Sequence, residues 1–133
     1  MPRFVLLHHE CPPSFPRPSH WDFMLERGGI LQTWVLVELP ANWQTSLGMD
    51  PSGPRNNVPV QKIGDHRPEY LTIEGPLSGE RGAVRRIEQG DYSIVAESDG
   101  LLEVRLSGDR LQGIAKLSRE AGGDHWSLAW RSG

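Results

Sequence analysis

His20-Trp-Asp-Phe-Met-Leu-Glu26, running through Arg27-Gly28-Gly29 into Leu31-Gln-Thr-Trp34, is the stretch that decides the fold. From His20 to Glu26 the side chains alternate: Trp21, Phe23 and Leu25 point to one face, and His20, Asp22 and Met24 to the other. That period of two is a strand. Gly28-Gly29 reads as a two-residue hairpin turn, because glycine accepts positive φ without cost. The partner strand runs from Leu31 to Leu39, rich in Val and Leu, and Pro40 ends it.

Upstream, Arg3 to Leu7 reads as a first strand leading into His8-His9. Glu10 to Ser19 holds Pro12, Pro13, Pro16 and Pro18, which exclude regular helix and central strand and leave an extended loop. Downstream, Ala41 to Asn57 reads as a long loop or an insertion, with Gly48, Pro51, Gly53 and Pro54. Strands are expected over Val58–Ile63 and Tyr70–Glu74, then a turn-rich segment over Gly75–Gly82. Ala83–Gln89 is ambiguous, with one helical turn as an option. A meander follows: Tyr92–Glu97, Leu101–Ser107, Leu111–Ser118 and Trp126–Arg131, joined by turns at Ser98–Gly100, Ser107–Asp109 and Ala121–Asp124. The expected fold is mainly β. It is a small closed or partly closed antiparallel barrel of about eight strands, with long loops and at most one or two short helices.

Composition agrees. The 133 residues include 15 Gly and 11 Pro, and 37% are hydrophobic, which favours short strands joined by turns. The length suits one domain over residues 1–133 that folds without a staple. Cys11 is the only cysteine, so no internal disulfide forms. With no signal-like N-terminus and no apolar run long enough for a membrane, the expected location is the cytoplasm. A net charge of −3 argues against tight, nonspecific binding along nucleic acid. It leaves open a site that handles one strand end or one phosphate.

The chemistry-bearing residues begin with His20 and Asp22, which share one strand face. An imidazole beside a carboxylate suits a divalent metal such as Mn²⁺ or Zn²⁺; a solvated ion-pair face is the plain alternative. Either His8 or His9 can return to the same place, His8 reading better as an exposed loop residue. His66 stands at another strand end, in Asp65-His66-Arg67-Pro68, and His125 reads as structural or solvated.

In order, though with a His9–His20 spacing longer than the family's by a proline-rich insert, four blocks resemble the 3′-phosphoesterase domain of bacterial DNA ligase D. That family has a Phe-Val strand leading to a His, then His-Tyr-Asp-Phe-Arg-Leu-Glu, a hairpin and a Leu-x-Ser-Trp strand. Here stand Phe4-Val5 leading to His9, His20-Trp-Asp-Phe-Met-Leu-Glu26, Gly28-Gly29 and Leu31-Gln-Thr-Trp34. The family's Asp-His-Pro-x-x-Tyr-x-x-Phe-Glu-Gly is similar to Asp65-His-Arg-Pro-Glu-Tyr-Leu-Thr-Ile-Glu-Gly75. Val104-Arg-Leu-Ser-Gly-Asp-Arg-Leu-Gln-Gly113 and Trp126-Ser-Leu128 complete the likeness.

The resemblance implies a metal triad at His9, His20 and Asp22, preferring His9 over His8, with catalytic roles for His66 and Tyr70. It implies a divalent cofactor, Mn²⁺ first and Zn²⁺ or Co²⁺ next. The substrate it implies is a 3′-phosphate or 3′-terminal ribonucleotide at a DNA end, or another phosphate ester. Strand spacing would hold Tyr70 on a common side with His66, its hydroxyl either orienting phosphate or satisfying a core hydrogen bond. The chain is expected to act as a monomer, with any repair partner a separate protein.

Three positions depart from the family. Met24 stands for an Arg that grips phosphate, Glu38 for a Lys and Val58 for a further Arg. Arg17, Arg55, Arg67 and Arg81 are the candidate substitutes. Two functions follow as expectations: a metal-dependent phosphoesterase, or a catalytically degenerate metal-binding barrel serving as an accessory module.

Overall fold

The computed structural model describes residues 1–50, 55–77, 81–120 and 123–132. Its strands are β1 (Arg3–Glu10), β2 (His20–Arg27), β3 (Ile30–Leu36), β4 (Asn57–His66), β5 (Gly75–Pro76), β6 (Ala83–Ser98), β7 (Leu101–Gly108), β8 (Gln112–Arg119) and β9 (His125–Ser132). A helix, α1 (Ala41–Ser46), follows β3, and a 3-10 turn spans Pro68–Leu71 after β4. The sheet order is β1-β2-β3-β4-β9-β8-β7-β6-β5, and a further antiparallel pairing of β1 with β6 brings eight strands into a partly closed ring. The mainly β, antiparallel architecture is the expected one.

The ring has an interior because every one of its strands sends side chains to one cluster. Phe4, Phe23, Trp34 and Val58 come from β1 to β4; Tyr92, Val104, Leu117 and Leu128 come from β6 to β9. Trp43 of α1 joins them, fully buried, with its ring centroid 5.6 Å from Phe23 and 5.5 Å from Trp130. Each such side chain contributes about 1.5–3 kcal/mol by leaving water.

A second, smaller cluster lies on the other face of β1, β2 and β3. Val5, Leu7, Met24, Leu31, Leu71 and Val84 form it, with Tyr70, Ile73 and Leu77 packed against them. Alternation along β1 and β2 therefore supplies two apolar layers, one inside the ring and one outside.

One buried carboxylate holds a turn. Glu88 is 3% exposed; its Oε2 accepts from the backbone N–H groups of Arg110 and Leu111, each at 2.6 Å, and its Oε1 from Gln89 N at 3.0 Å. Bonds to a charged acceptor contribute more than neutral ones. Glu88→Ala, which orphans the buried Leu111 N–H, should destabilise the chain by about 3 kcal/mol. An unmoved urea midpoint would contradict this.

Gly28 and Gly29 have φ of 58° and 83°, as a tight hairpin turn requires. Three expectations need correction. Ala41–Asn57 is not wholly loop, since Ala41–Ser46 is helical and anchored by Trp43. Ala83–Gln89 is strand, because β6 pairs there along β1, with β5 adding a second partner at Ala83 and Val84. Tyr70–Glu74 is not a strand: Pro68 opens a 3-10 turn that occupies Pro68–Leu71. Of the expected turns, residues 51–54, 78–80 and 121–122 lie outside the described residues. Among the described residues, no helix is long and apolar enough to cross a membrane.

Candidate active site

The hairpin of β1 and β2 positions the first three side chains. In its register His9 faces His20 and Leu7 faces Asp22, so His9, His20 and Asp22 share the face outside the ring. The two imidazole centroids are 5.0 Å apart. His20 Nε2 lies 3.2 Å from Asp22 Oδ1, and His9 Nδ1 lies 3.9 Å from Asp22 Oδ2.

Backbone carbonyls set both tautomers. His20 Nδ1 is 2.9 Å from Pro18 O and His9 Nε2 is 2.7 Å from Arg81 O, so these two nitrogens carry the protons and donate. The remaining nitrogens, His9 Nδ1 and His20 Nε2, turn their lone pairs toward the Asp22 carboxylate. Asp22 is 4% exposed, and its Oδ1 has no well-formed hydrogen bond. Lone pairs facing lone pairs across 3.2 Å repel unless a cation lies between them.

That cation can be a proton or a metal. Burial on its own lowers the His20 pKa; the Asp22 carboxylate and the Pro18 carbonyl overturn this and leave it above the ordinary value. Two imidazole nitrogens and a carboxylate, each imidazole steered by a carbonyl, are also a fitting donor set for a divalent metal. His9, Cys11 and His20 form an overlapping group, with ligand atoms within 4.8 Å of one another, that could hold a metal ion.

The remaining wall comes from the end of β4 and the 3-10 turn. His66 pairs with Leu31 of β3, and its Nδ1 lies 3.1 Å from both Thr33 Oγ1 and Gly64 O. Thr33 donates its own hydroxyl proton to Leu31 O. His66 Nδ1 is therefore the donor, and Nε2 is the nitrogen left for chemistry. The Tyr70 ring stands edge-on to His66, with centroids 5.1 Å apart at 87°. The common side expected from strand spacing is achieved by the turn instead.

All five expected residues line one cavity of ≈ 120 Å³. Arg17, from the proline-rich loop, and Arg81 line it as well. Gly82, at φ +87°, lets the Arg81 carbonyl approach, since a Cβ there would sit 1.9 Å from Glu10 O.

Other residues lie elsewhere. His8 is in β1, not in a loop, and its half-buried ring packs tilted against Trp21, with centroids 5.1 Å apart; burial and then Arg85 lower its pKa. His125 is exposed. Arg55 pairs with Glu38, and Arg67 with Glu69 at 3.5 Å. Val58 belongs to the ring interior, while Met24 is fully buried in the apolar layer outside the ring. The sequence reading passed over Cys11 and Phe15 at this site. Phe15 packs 5.3 Å from His9, and Cys11, two residues beyond it, was signalled by its spacing alone.

The family model described as the DNA ligase D 3′-phosphoesterase domain matches residues 9–119, which include all five of these side chains. The chain belongs to this family. The LigD-family chain is 35% identical over 131 residues to the multifunctional non-homologous end joining protein LigD of Mycobacterium bovis (strain ATCC BAA-935 / AF2122/97). It matches the multifunctional non-homologous end joining DNA repair protein LigD of Mycobacterium tuberculosis (strain CDC 1551 / Oshkosh) at the same identity. In each case the match covers 92% of this chain and 15% of the relative's length.

Proposed function

We propose that this 3′-phosphoesterase-family chain is a metal-dependent phosphoesterase acting on a phosphate or terminal ribonucleotide at a DNA 3′ end, or on another phosphate ester. The observation that carries it is the convergence of His9, His20, Asp22, His66 and Tyr70 on one cavity. The end-joining and DNA-repair names of the relatives support the DNA end as substrate.

His9 Nδ1, His20 Nε2 and Asp22 would hold the divalent ion, which we take as Mn²⁺, with Zn²⁺ or Co²⁺ as alternatives. Bound there, the ion would supply positive charge to polarise a phosphoryl oxygen. His66 Nε2 faces the substrate and exchanges a proton with a reacting oxygen, its ring fixed by the bonds from Nδ1. Tyr70 offers a hydroxyl to a phosphate oxygen. Arg17 adds positive charge at the rim. The apolar residues beneath, Val84 and Leu77, limit water around these charges. Action on a strand end, rather than binding along nucleic acid, fits the net charge of −3, and we take the chain as one domain working as a monomer.

The test is a primer–template carrying a 3′-phosphate. With Mn²⁺ the chain should release phosphate and leave a 3′-hydroxyl, and EDTA should stop it. A second reading, the accessory metal-binding module, draws on Met24 and Glu38, which bring no cation to the cavity. A chain that binds Mn²⁺ yet leaves DNA ends and simple phosphate esters untouched would favour that reading.

A further inference from the structure

Cys11 has no role in this proposed chemistry, yet its place is fixed. Its backbone N–H donates to Ser19 Oγ at 2.9 Å, closing the neck of the proline-rich loop just beyond the His9–His20 pair. Its Sγ lies 3.8 Å from His20 Nδ1 and 3.7 Å from His9 O. A tetrahedral ion with Zn–S near 2.3 Å and Zn–N near 2.1 Å separates sulfur and nitrogen by roughly 3.6 Å. The observed Sγ–Nδ1 distance is close to that span.

Asp22 meets the same ring at the other edge, through Nε2 at 3.2 Å. The two nitrogens of one imidazole diverge, so Cys11 and Asp22 cannot share an ion through His20. We infer that Cys11, His9 and His20 form a site for a thiophilic divalent cation of the Zn²⁺ class, entered from the Nδ1 edge of His20. Because it takes both imidazoles, it excludes the His9–His20–Asp22 arrangement.

The protons balance. The thiol proton leaves to solvent as the thiolate binds. The His20 proton moves from Nδ1 to Nε2, where Asp22 Oδ1 accepts it. The buried oxygen that lacks a hydrogen bond then gains one, and a carboxylate orients a metal-bound imidazole from behind. Pro18 O, at an exposed residue, turns to water. In this state the carboxylate supports the ion without touching it.

Co²⁺ titration of the metal-free full chain tests the site without reference to activity. The wild type should develop a thiolate-to-cobalt charge-transfer band at one ion per chain, and Cys11→Ser should lack it. Zn²⁺ affinity should fall in Cys11→Ser by at least the roughly 10–100-fold that loss of a partner one bond further out costs. In Asp22→Asn, whose amide oxygen still accepts from Nε2, the band should persist. No band in the wild type, or unchanged Zn²⁺ affinity in Cys11→Ser, overturns the proposal. So does a band that disappears in folded Asp22→Asn, or one that saturates at one ion per two chains.

Discussion

With His66 replaced by alanine, release of phosphate from a DNA 3′ end should slow by about 10²–10⁴-fold, the usual worth of a positioned proton-transfer group. The same variant should keep the full Mn²⁺-induced rise in melting temperature. His66 lines the cavity but stands on β4, outside the His9–His20–Asp22 set. Its removal frees Thr33 Oγ1, which still has Leu31 O to donate to, so the fold should lose little. Retained activity with a lost metal response would show that His66 belongs to the metal centre. Tyr70→Phe separates the companion role: a change confined to KM would mark substrate orientation, and no change would mark a packing residue.

The opposite separation is expected at Asp22. A specific ion at 100 times its dissociation constant stabilises by about 2.7 kcal/mol. For a chain of this size that is a melting shift on the order of 10 °C. His20→Ala with Asp22→Ala should abolish both the shift and turnover. Without metal, the same pair should cost little or even stabilise, because Asp22 is a buried carboxylate whose Oδ1 lacks a hydrogen bond. A Mn²⁺ shift that survives the double substitution would remove these two residues from the ligand set.

The strand pattern made much of this site readable in advance. Alternation from His20 to Glu26 put His20 and Asp22 on one face; the preference for His9 over His8 came from the family resemblance, and the register of β1 on β2 places His9 beside them. Position 66 was readable as a strand end but not its approach to Tyr70, because a 3-10 turn begun by Pro68 redirects the chain. Ala83–Gln89 hid its strand character because its long-range pairing with β1, not alternation, makes it a strand, and a register shift between Leu6 and Leu7 breaks the pattern across from it. Among four candidate arginines, only tertiary structure distinguishes Arg17 and Arg81 at the cavity from Arg55 and Arg67 in ion pairs elsewhere. Met24 was on the right face, yet depth along the strand, which alternation does not encode, makes it apolar foundation.

The two apolar layers divide the molecule's labour. Side chains from all eight ring strands lock the scaffold from within, while the cavity rests on a separate patch of six residues outside. Substitutions that reshape the cavity can therefore be tried without reopening the interior that keeps the chain folded. Libraries built on the Glu10–Ser19 loop and the 3-10 turn should yield mostly folded variants. A lineage drifting toward a new phosphate ester would have the same freedom, which makes the outer patch the place to expect change of specificity.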